Sequence, residues 1–240
     1  AKPDGYTLLY PNNGVVVAPL LNPSAGYDGL KDFTPVSTTT SVPMVLVVPK
    51  SLPVNNLAEF LDYAKKRPGP IFASAGPASY GPLATARFAQ MAGLKLDHVP
   101  YKGEAGTTMA VRGGDVQMLM TTPSSAMLGQ VAQGNLKLLG AATQNPSPVV
   151  PNAPTLNKAV PGFTAEVWFG LLAPAGTPDD VVQKINAALK KVMAEDSIRT
   201  RLLPTGALAQ ASTPAEFGTM MKTETAQWRD IITKHNIKAD

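Results

Sequence analysis

Residues 71–82 read Ile-Phe-Ala-Ser-Ala-Gly-Pro-Ala-Ser-Tyr-Gly-Pro, the pattern of a strand, a tight turn and the start of a helix. We predict a strand from Ile71 to Ser74 and a helix from about Ser79 to Ala92. The free backbone N–H groups and the positive dipole end of that helix would point into the turn. With two serine hydroxyls and the Tyr80 ring, the turn is a candidate carboxylate site. An ordinary βα loop in which Ser79 caps the helix explains the same pattern and stays open.

Strand and helix patterns alternate outward from this stretch. The chain begins with a Pro-Asp-Gly turn, a predicted strand from Tyr6 to Tyr10 and a loop-rich region at 11–31. Further strands are predicted at 45–48, 96–101, 116–120 and 136–142, and helices at 55–66, 104–112 and 123–133. This alternation favours an α/β fold with largely parallel sheets.

Capping signals predict two helices in the C-terminal region. Thr177, followed by Pro178 and two aspartates, is expected to cap one helix, and Thr213-Pro214-Ala215-Glu216 has the pattern of a capping box. Apolar residues at helical spacing are expected to form the buried faces of the helices. These are Leu57, Phe60, Leu61 and Ala64; Leu83, Ala84, Phe88 and Met91; Val181, Val182, Ile185, Leu189 and Val192; and Phe217, Met221, Trp228 and Ile232.

Two apolar strand-like segments, near 44–48 and 168–173, bracket a self-contained run of strand–helix units. We interpret them as crossings between two lobes. The first lobe is then discontinuous, with residues 1–43 and 170–240, and the second lobe holds residues 48–167. No repeat of fixed period is present.

Composition excludes several classes of function. The net charge is +4, from 21 basic and 17 acidic residues, and the basic residues are scattered, so the sequence gives no nucleic-acid footprint. Without cysteine and with two histidines, the chain offers neither a thiolate nor a His-rich metal site. No apolar run approaches the ~18 residues that span a bilayer.

The residues also argue against an enzyme. Ser74 and Ser79 are not in a G-x-S-x-G elbow, and neither His98, within a predicted strand, nor His235 is placed as a base. No P-loop or G-x-G-x-x-G motif follows a strand, so nucleotide chemistry has no support.

Six motifs, in order along essentially the whole chain, resemble one protein family. They are Asp4 to Leu9 (DGYTLL), Asp32 to Val36 (DFTPV), Ala73 to Ser79 (ASAGPAS), His98 to Gly103 (HVPYKG), Gly113 to Val116 (GGDV) and Leu172 to Pro178 (LAPAGTP). Each motif is weak alone, but together they resemble the Bug-type receptors of the tripartite tricarboxylate transporters.

The resemblance implies a two-lobed type II periplasmic binding protein fold, each lobe a sheet flanked by helices. It implies a periplasmic receptor that captures a small mono- or dicarboxylate in an interlobe cleft and delivers it to membrane permease subunits, with no catalysis and no cofactor. The expected ligand-binding residues are Ser74, Ala75, Gly76, Ala78, Ser79, Tyr80, Asn12, Asn13, Thr121, Trp168 and Phe169. For Trp168 and Phe169, a core role is an equally good interpretation.

The sequence departs from the family pattern in places. Members begin with a strand and a glycine-rich loop that precede the first residue here, so an N-terminal βα unit is expected to be missing. Ala110, Gln117 and Thr121 stand where the family often has aspartate. Fewer acids argue against an amino-group ligand and favour a plain carboxylate with an aromatic or aliphatic body.

A second interpretation is the effector-binding domain of a LysR-type transcription regulator, which shares the two-lobed fold and binds small anions. A helix-turn-helix encoded upstream would favour the regulator, and a secretion signal would favour the receptor.

Overall fold

The computed structural model describes residues 1–67, 69, 71–74, 80–235 and 237. In chain order the helices and strands are α1 (Gly14–Leu21), β1 (Phe33–Pro43), β2 (Val45–Pro49), α2 (Leu57–Lys66), β3 (Ile71–Ser74), α3 (Tyr80–Ala92), β4 (Asp97–Pro100), α4 (Gly103–Gly113), β5 (Met118–Thr121), α5 (Ser125–Ala132), β6 (Leu136–Ala141), β7 (Glu166–Pro174), α6 (Asp179–Met193), α7 (Asp196–Leu202), β8 (Leu208–Ala209) and α8 (Pro214–His235).

The chain divides into two compact units. Unit 1 contains Ala1–Val42 and the chain from Val167 to the end of α8, and unit 2 is the continuous segment Pro43–Glu166. Assignment of these units to the two receptor lobes stays a prediction.

Unit 2 contains a five-stranded sheet in the order β4-β3-β5-β2-β6. β3 pairs in parallel with β4 and β5, whereas β2 pairs antiparallel with β5 and β6. Four strands therefore share one direction, as expected where helices connect successive strands. β2 lies between β5 and β6, and all five of its residues are buried.

Unit 1 contains a three-stranded sheet in the order β7-β1-β8, and here the expectation of parallel pairing is wrong. β8 pairs antiparallel with β1. The Ala175 amide donates to the Asp32 carbonyl (3.0 Å), and so the end of β7 lies beside the start of β1. β1 and β7 are the strands that lead into and out of unit 2.

The predicted strand from Tyr6 to Tyr10 is not formed. Leu9 and Asn12 make only isolated antiparallel bridges, to Leu172 and Phe169 of β7. Tyr6 is 94% exposed. Pro11 lies between the two bridges and has no N–H to donate, so a continuous ladder is interrupted there.

The region at 11–31 was expected to be loop-rich, but it contains α1, whose residues Val15, Val16, Val17 and Leu21 are buried. Pro19 lies inside this helix, and valine and proline both have low helix propensity. Tertiary packing therefore forms a helix that local propensity does not predict.

The predicted helix faces are buried in part: Leu61, Val181, Ile185, Leu189 and Ile232 are half-buried, and Met91 and Val192 are exposed. Met91 and Val192 are each 40% exposed, because they lie near the C-terminal ends of α3 and α6. On α8 it is Ile231 rather than Ile232 that is buried. At α6, Thr177 does not cap the helix, because its hydroxyl donates back to the Pro174 carbonyl at 2.8 Å.

The predicted capping box of α8 is confirmed. The Glu216 amide donates to the Thr213 hydroxyl at 3.1 Å, and the Glu216 carboxylate accepts from the Thr213 amide at 2.7 Å. Asn56 likewise caps α2 by accepting from the Glu59 amide at 2.9 Å.

Candidate ligand-binding surfaces

The carboxyl ends of β3, β4 and β5 lie at one edge of the unit 2 sheet, because these strands are parallel. The helices α3, α4 and α5 begin after these strands, at Tyr80, Gly103 and Ser125. Helix N-termini present unpaired N–H groups and a positive partial charge. We call this part of unit 2 the carboxyl edge, and its chemistry suits a small anion.

Ser74 is the last residue of β3 and is 2% exposed. Its carbonyl accepts from the Tyr101 amide at 2.9 Å, which ties the ends of β3 and β4 together. Its hydroxyl oxygen lies 2.5 Å from Nε2 of His98. Phe72, which pairs with His98 in the sheet, stacks on the imidazole with a centroid separation of 4.7 Å.

Sequence reasoning missed this contact, and the expectation that no histidine is placed beside a serine is wrong. A histidine within a strand can face a serine on the neighbouring strand, at a diagonal cross-strand position. Pairing Phe72 with His98 would have placed Ser74 diagonally opposite, but strand register is not visible in single-strand patterns.

Two more predicted ligand-binding residues lie at the carboxyl edge. Tyr80 is the first residue of α3 and is half-buried. Thr121 ends β5, is half-buried and pairs with Val45. Ala75, Gly76, Ala78 and Ser79 lie outside the described residues, and their roles stay predictions.

A hydrogen bond that the sequence did not predict connects the N-termini of α4 and α5 at this edge. Ser124 caps α5 by accepting from the Met127 amide at 3.2 Å, and its hydroxyl also contacts the Glu104 carboxylate. Glu104 is an exposed residue in the first turn of α4. The Glu104 carboxylate at this edge is therefore hydrogen-bonded to the Ser124 hydroxyl.

In unit 1, two aromatic rings form the second candidate surface. Tyr10 and Phe169 stack with their centroids 6.0 Å apart. The Thr39 hydroxyl donates to the Phe169 carbonyl at 3.2 Å and lies 3.1 Å from the Tyr10 hydroxyl. The rings line a cavity of about 460 Å³ together with Leu9, Pro11, Asn12, Val15, Tyr27 and Phe33.

The remaining predicted residues of unit 1 differ in exposure. Asn12 is exposed beside the rings, and its side-chain oxygen accepts from the Gly14 amide at 2.8 Å. Asn13 is 1% exposed and Trp168 is 4% exposed. Asn13 Nδ2 and Trp168 Nε1 both donate to the Glu224 carboxylate, at 3.2 and 2.5 Å. Asn12 and Phe169 are therefore accessible on this surface, whereas Asn13 and Trp168 lie inside unit 1.

Among residues 1–67, 69, 71–74, 80–235 and 237, no cluster of three or more histidine and acidic side chains is arranged to hold a metal ion. None of the helices in that part of the chain combines the length and apolarity needed to cross a membrane.

Over residues 1–237, the sequence matches the family described as the tripartite tricarboxylate transporter family receptor. The chain belongs to this family. The resemblance drawn from the six motifs is thereby confirmed, and the match favours the receptor over the effector domain of a regulator.

Similar proteins include one curated relative and two solved structures. The UPF0065 protein in the tcbD-tcbE intergenic region of Pseudomonas sp. (strain P51) is 32% identical over all of this chain and 72% of its own length. R. palustris Rpa4515, solved with adipate, is 31% identical with a TM-score of 0.81 over 99% of this chain and 80% of that one. MatC (Rpa3494) from Rhodopseudomonas palustris, solved with bound malate, is 31% identical with a TM-score of 0.75 over 97% of this chain and 81% of that one.

Family membership decides how the Ser74–His98 contact is interpreted. These receptors bind solutes and are not enzymes, and their two-lobed α/β fold is the fold of this chain. A serine within hydrogen-bond distance of an imidazole resembles a nucleophile and its base. In a receptor of this family the Ser74–His98 pair is not a nucleophile and its base.

Proposed function

We propose that this receptor binds a small organic acid in the periplasm and delivers it to permease subunits of the tripartite tricarboxylate type. Two relatives that are each 31% identical have structures with dicarboxylates, adipate and malate. The net charge of +4 adds a weak general attraction for anions.

The observation that carries this proposal is the convergence of three helix N-termini at the carboxyl edge, with Ser74 at the end of β3, which lies between β4 and β5. One carboxylate of the ligand accepts hydrogen bonds there, from the Ser74 hydroxyl and from backbone amides. Tyr80 lies at the start of α3 and provides an aromatic contact. On sequence grounds we assign Ser79 and the amides of Gly76 and Ala78 to the same carboxylate.

The Tyr10–Phe169 surface of unit 1 supports a second, apolar contact. Stacked rings with the exposed side chain of Asn12 beside them suit a ligand that has both an aliphatic or aromatic body and a polar end. This contact is a separate part of the proposal and is tested by its own variant, Phe169→Ala.

Calorimetric titration with adipate, malate and benzoate tests the carboxylate site. Ser74→Ala removes a hydroxyl whose hydrogen bond to a charged group contributes roughly 1.5–3 kcal/mol, so we expect about tenfold weaker binding or more. Ser51→Ala is the matched control. Ser51 is exposed and follows β2, whose antiparallel direction places it at the opposite edge of the same sheet. Ser125, a control that sequence alone would suggest, begins α5 at the carboxyl edge and is unsuitable.

Wild type and Ser51→Ala are expected to bind the best acid equally, and Ser74→Ala to bind it more weakly. Equal affinity for all three proteins would remove Ser74 from the site. Failure of the wild type to bind any of the acids would contradict the proposed function.

A further inference from the structure

A cavity of about 630 Å³ lies within unit 1, and we call it the unit 1 cavity. Its lining comes from Tyr10, β1, β7, α6 and the segment of α7. Tyr10 also lines the smaller cavity beside Phe169, so its ring borders both. The apolar residues that line the unit 1 cavity are all half-buried, and they are Leu171, Leu189, Met193, Ile198 and Leu202. Sites for small molecules have volumes of about 300 to 1,000 Å³ and mostly apolar linings, and this cavity matches both properties.

The apolar wall of this cavity is part of regular elements. Leu171 of β7 and Leu189 of α6 pack against a buried cluster that consists of Val36, Ala173 and Val182. Ile198 and Leu202 are four residues apart on α7 and so share one face of that helix. The wall therefore offers a fixed surface against which a ligand can bury an apolar body.

Thr40 brings a hydroxyl to this lining. The residue is 7% exposed and pairs with Ala209 of β8. The hydroxyl of the preceding Thr39 donates to the Phe169 carbonyl at 3.2 Å, whereas within the described part of the chain the Thr40 hydroxyl forms no hydrogen bond. Its oxygen is not sealed off from solvent, and a ligand in the cavity can reach it. Because buried polar groups are nearly always hydrogen-bonded, this hydroxyl marks a place for a polar atom of a ligand.

Arg201 adds a positive charge to the same lining. It is exposed in the last turn of α7, and among the described residues it has neither an ion pair nor a hydrogen bond. The helix α7 packs against β8, whose Ala209 pairs with Thr40. The guanidinium and the hydroxyl therefore come from neighbouring elements. None of the described residues that line the cavity is acidic, so the site favours an anion.

We propose that the unit 1 cavity is a second binding site, specific for carboxylic acids with a linear apolar body, such as octanoate. The carboxylate accepts hydrogen bonds from the Arg201 guanidinium and the Thr40 hydroxyl, and the apolar body lies against the wall formed by β7, α6 and α7. A small polar acid such as malate leaves that wall unused, and an uncharged chain leaves the guanidinium unused. The inference goes beyond the proposed function and does not depend on the carboxyl edge of unit 2.

Calorimetric titration of the whole chain with butanoate, hexanoate and octanoate tests the apolar wall. We expect the affinity to rise along this series by up to about fourfold for each added methylene, the value for a fully buried group. The three acids carry the same charge, so the increase isolates the contribution of the apolar body. Equal affinities for all three acids would contradict the proposed site.

Two variants test the groups that hold the carboxylate. Thr40→Val keeps the branched shape and removes the hydroxyl, so octanoate is expected to bind about tenfold more weakly, as for a buried hydrogen bond to a charged group. Arg201→Met removes an exposed charge, for which we expect a smaller loss of roughly threefold to fivefold. Arg199→Met is the matched control, because Arg199 is exposed in the same turn of α7 but does not line the cavity. Octanol, which has no charge, is expected to bind Arg201→Met and the wild type equally.

Nuclear magnetic resonance of the methionine methyl groups locates the bound acid. The chain has nine methionines, and Met193 lines the cavity. Comparison with Met193→Leu assigns its signal, which is expected to shift when octanoate is added to the wild type. An excess of adipate is expected to leave this shift in place, because adipate is proposed to bind to unit 2. Arg201→Met is accordingly expected to bind adipate as the wild type does.

The outcomes separate this inference from the proposed function. Unchanged octanoate affinity in both Thr40→Val and Arg201→Met, or an unshifted Met193 signal, overturns the second site and leaves the carboxylate site of unit 2 standing. Binding of octanoate without any binding of adipate, malate or benzoate overturns the proposed function and leaves the second site standing.

Sedimentation velocity tests a second copy of the chain as the occupant of the cavity. We expect a monomer both with and without octanoate. A dimer that Arg201→Met dissociates would show that the cavity is an interface between two copies, and the proposed ligand site would be wrong.

Discussion

At the scale of single residues, Glu224 is a side chain of unit 1 on which polar contacts from two other elements converge. Its carboxylate accepts from Trp168 Nε1 on β7 and from Asn13 Nδ2 at the start of α1, and thereby joins three elements. Both donors are buried. The indole it holds also packs edge-to-face on Phe217, at 5.0 Å between centroids.

Replacing Glu224 by alanine is expected to lower the free energy of unfolding by about 1–3 kcal/mol, because two buried donors lose their acceptor. Urea denaturation measures the change. Gln227→Ala, at an exposed position one turn further along α8, is the control and is expected to leave stability within about 0.5 kcal/mol of wild type. If the two variants unfold at the same urea concentration, Glu224 makes no net contribution through these bonds.

The candidate binding residues show which parts of a site a sequence can reveal. The places of Ser74 at the end of β3 and of Tyr80 at the start of α3 were predictable, because a strand, a turn and a helix start are local and have local signals. His98 was not, since its place beside Ser74 depends on the register between β3 and β4. Asn13 and Trp168 suited a binding surface by composition, but burial places both inside unit 1.

At the scale of elements, the best-defined helix start is the capping box of α8. Hydrogen bonds from the Thr213 amide and hydroxyl lower the pKa of Glu216 below its usual range, with a small additional effect of Lys190. A carboxyl whose pKa is lowered by folding stabilises the folded state above its unfolded pKa of about 4.3, and the effect disappears as pH falls through the folded value.

Glu216→Ala is therefore expected to lower the melting temperature at neutral pH and to have progressively less effect as the pH falls below about 4.3. Thermal unfolding of both proteins over this pH range measures the difference. Because Glu216 is fully exposed, a small effect is expected. A difference between the two proteins that stayed constant down to the lowest pH would contradict a role for the ionised carboxylate.

Elements with strong periodicity or caps were predictable, and those formed by tertiary contacts were not. α8 is capped by Thr213, as its capping signal indicated, and α2 covers nearly all of the helix that its periodicity predicted at 55–66. α1 was missed, because its four buried apolar residues and Pro19 give no helical signal without the packing around them. The Tyr6 to Tyr10 segment has apolar residues typical of a strand, but it forms only a bridge at Leu9.

At the scale of the whole molecule, unit 2 is inserted into unit 1 as one continuous segment. Its two ends are joined within the unit itself. The Met44 amide donates to the Ala165 carbonyl (2.9 Å), the Ala165 amide to the Ala142 carbonyl (2.8 Å), and the Ala142 amide to the Met44 carbonyl (2.8 Å). Residues near the two ends of this segment are therefore hydrogen-bonded to each other and to the residue that follows β6, all within unit 2.

The core of unit 2 is likewise internal. One cluster of buried residues contains Val45 and Val47 of β2, Leu119 of β5, Val111 of α4 and Met127 of α5. A segment with its own core and paired ends meets the requirements for a domain that folds alone.

We therefore expect residues 43–166, produced as a separate fragment, to fold cooperatively and to give a dispersed amide spectrum. The matched control is the fragment 51–166, which lacks β2. Because β2 lies between β5 and β6 and all of its residues are buried, its removal separates the two neighbouring strands and opens the core. This shorter fragment is expected to show no cooperative transition in thermal unfolding. If both fragments were equally disordered, unit 2 would depend on unit 1 for its folding, and the boundary at Pro43 and Glu166 would not separate independent domains.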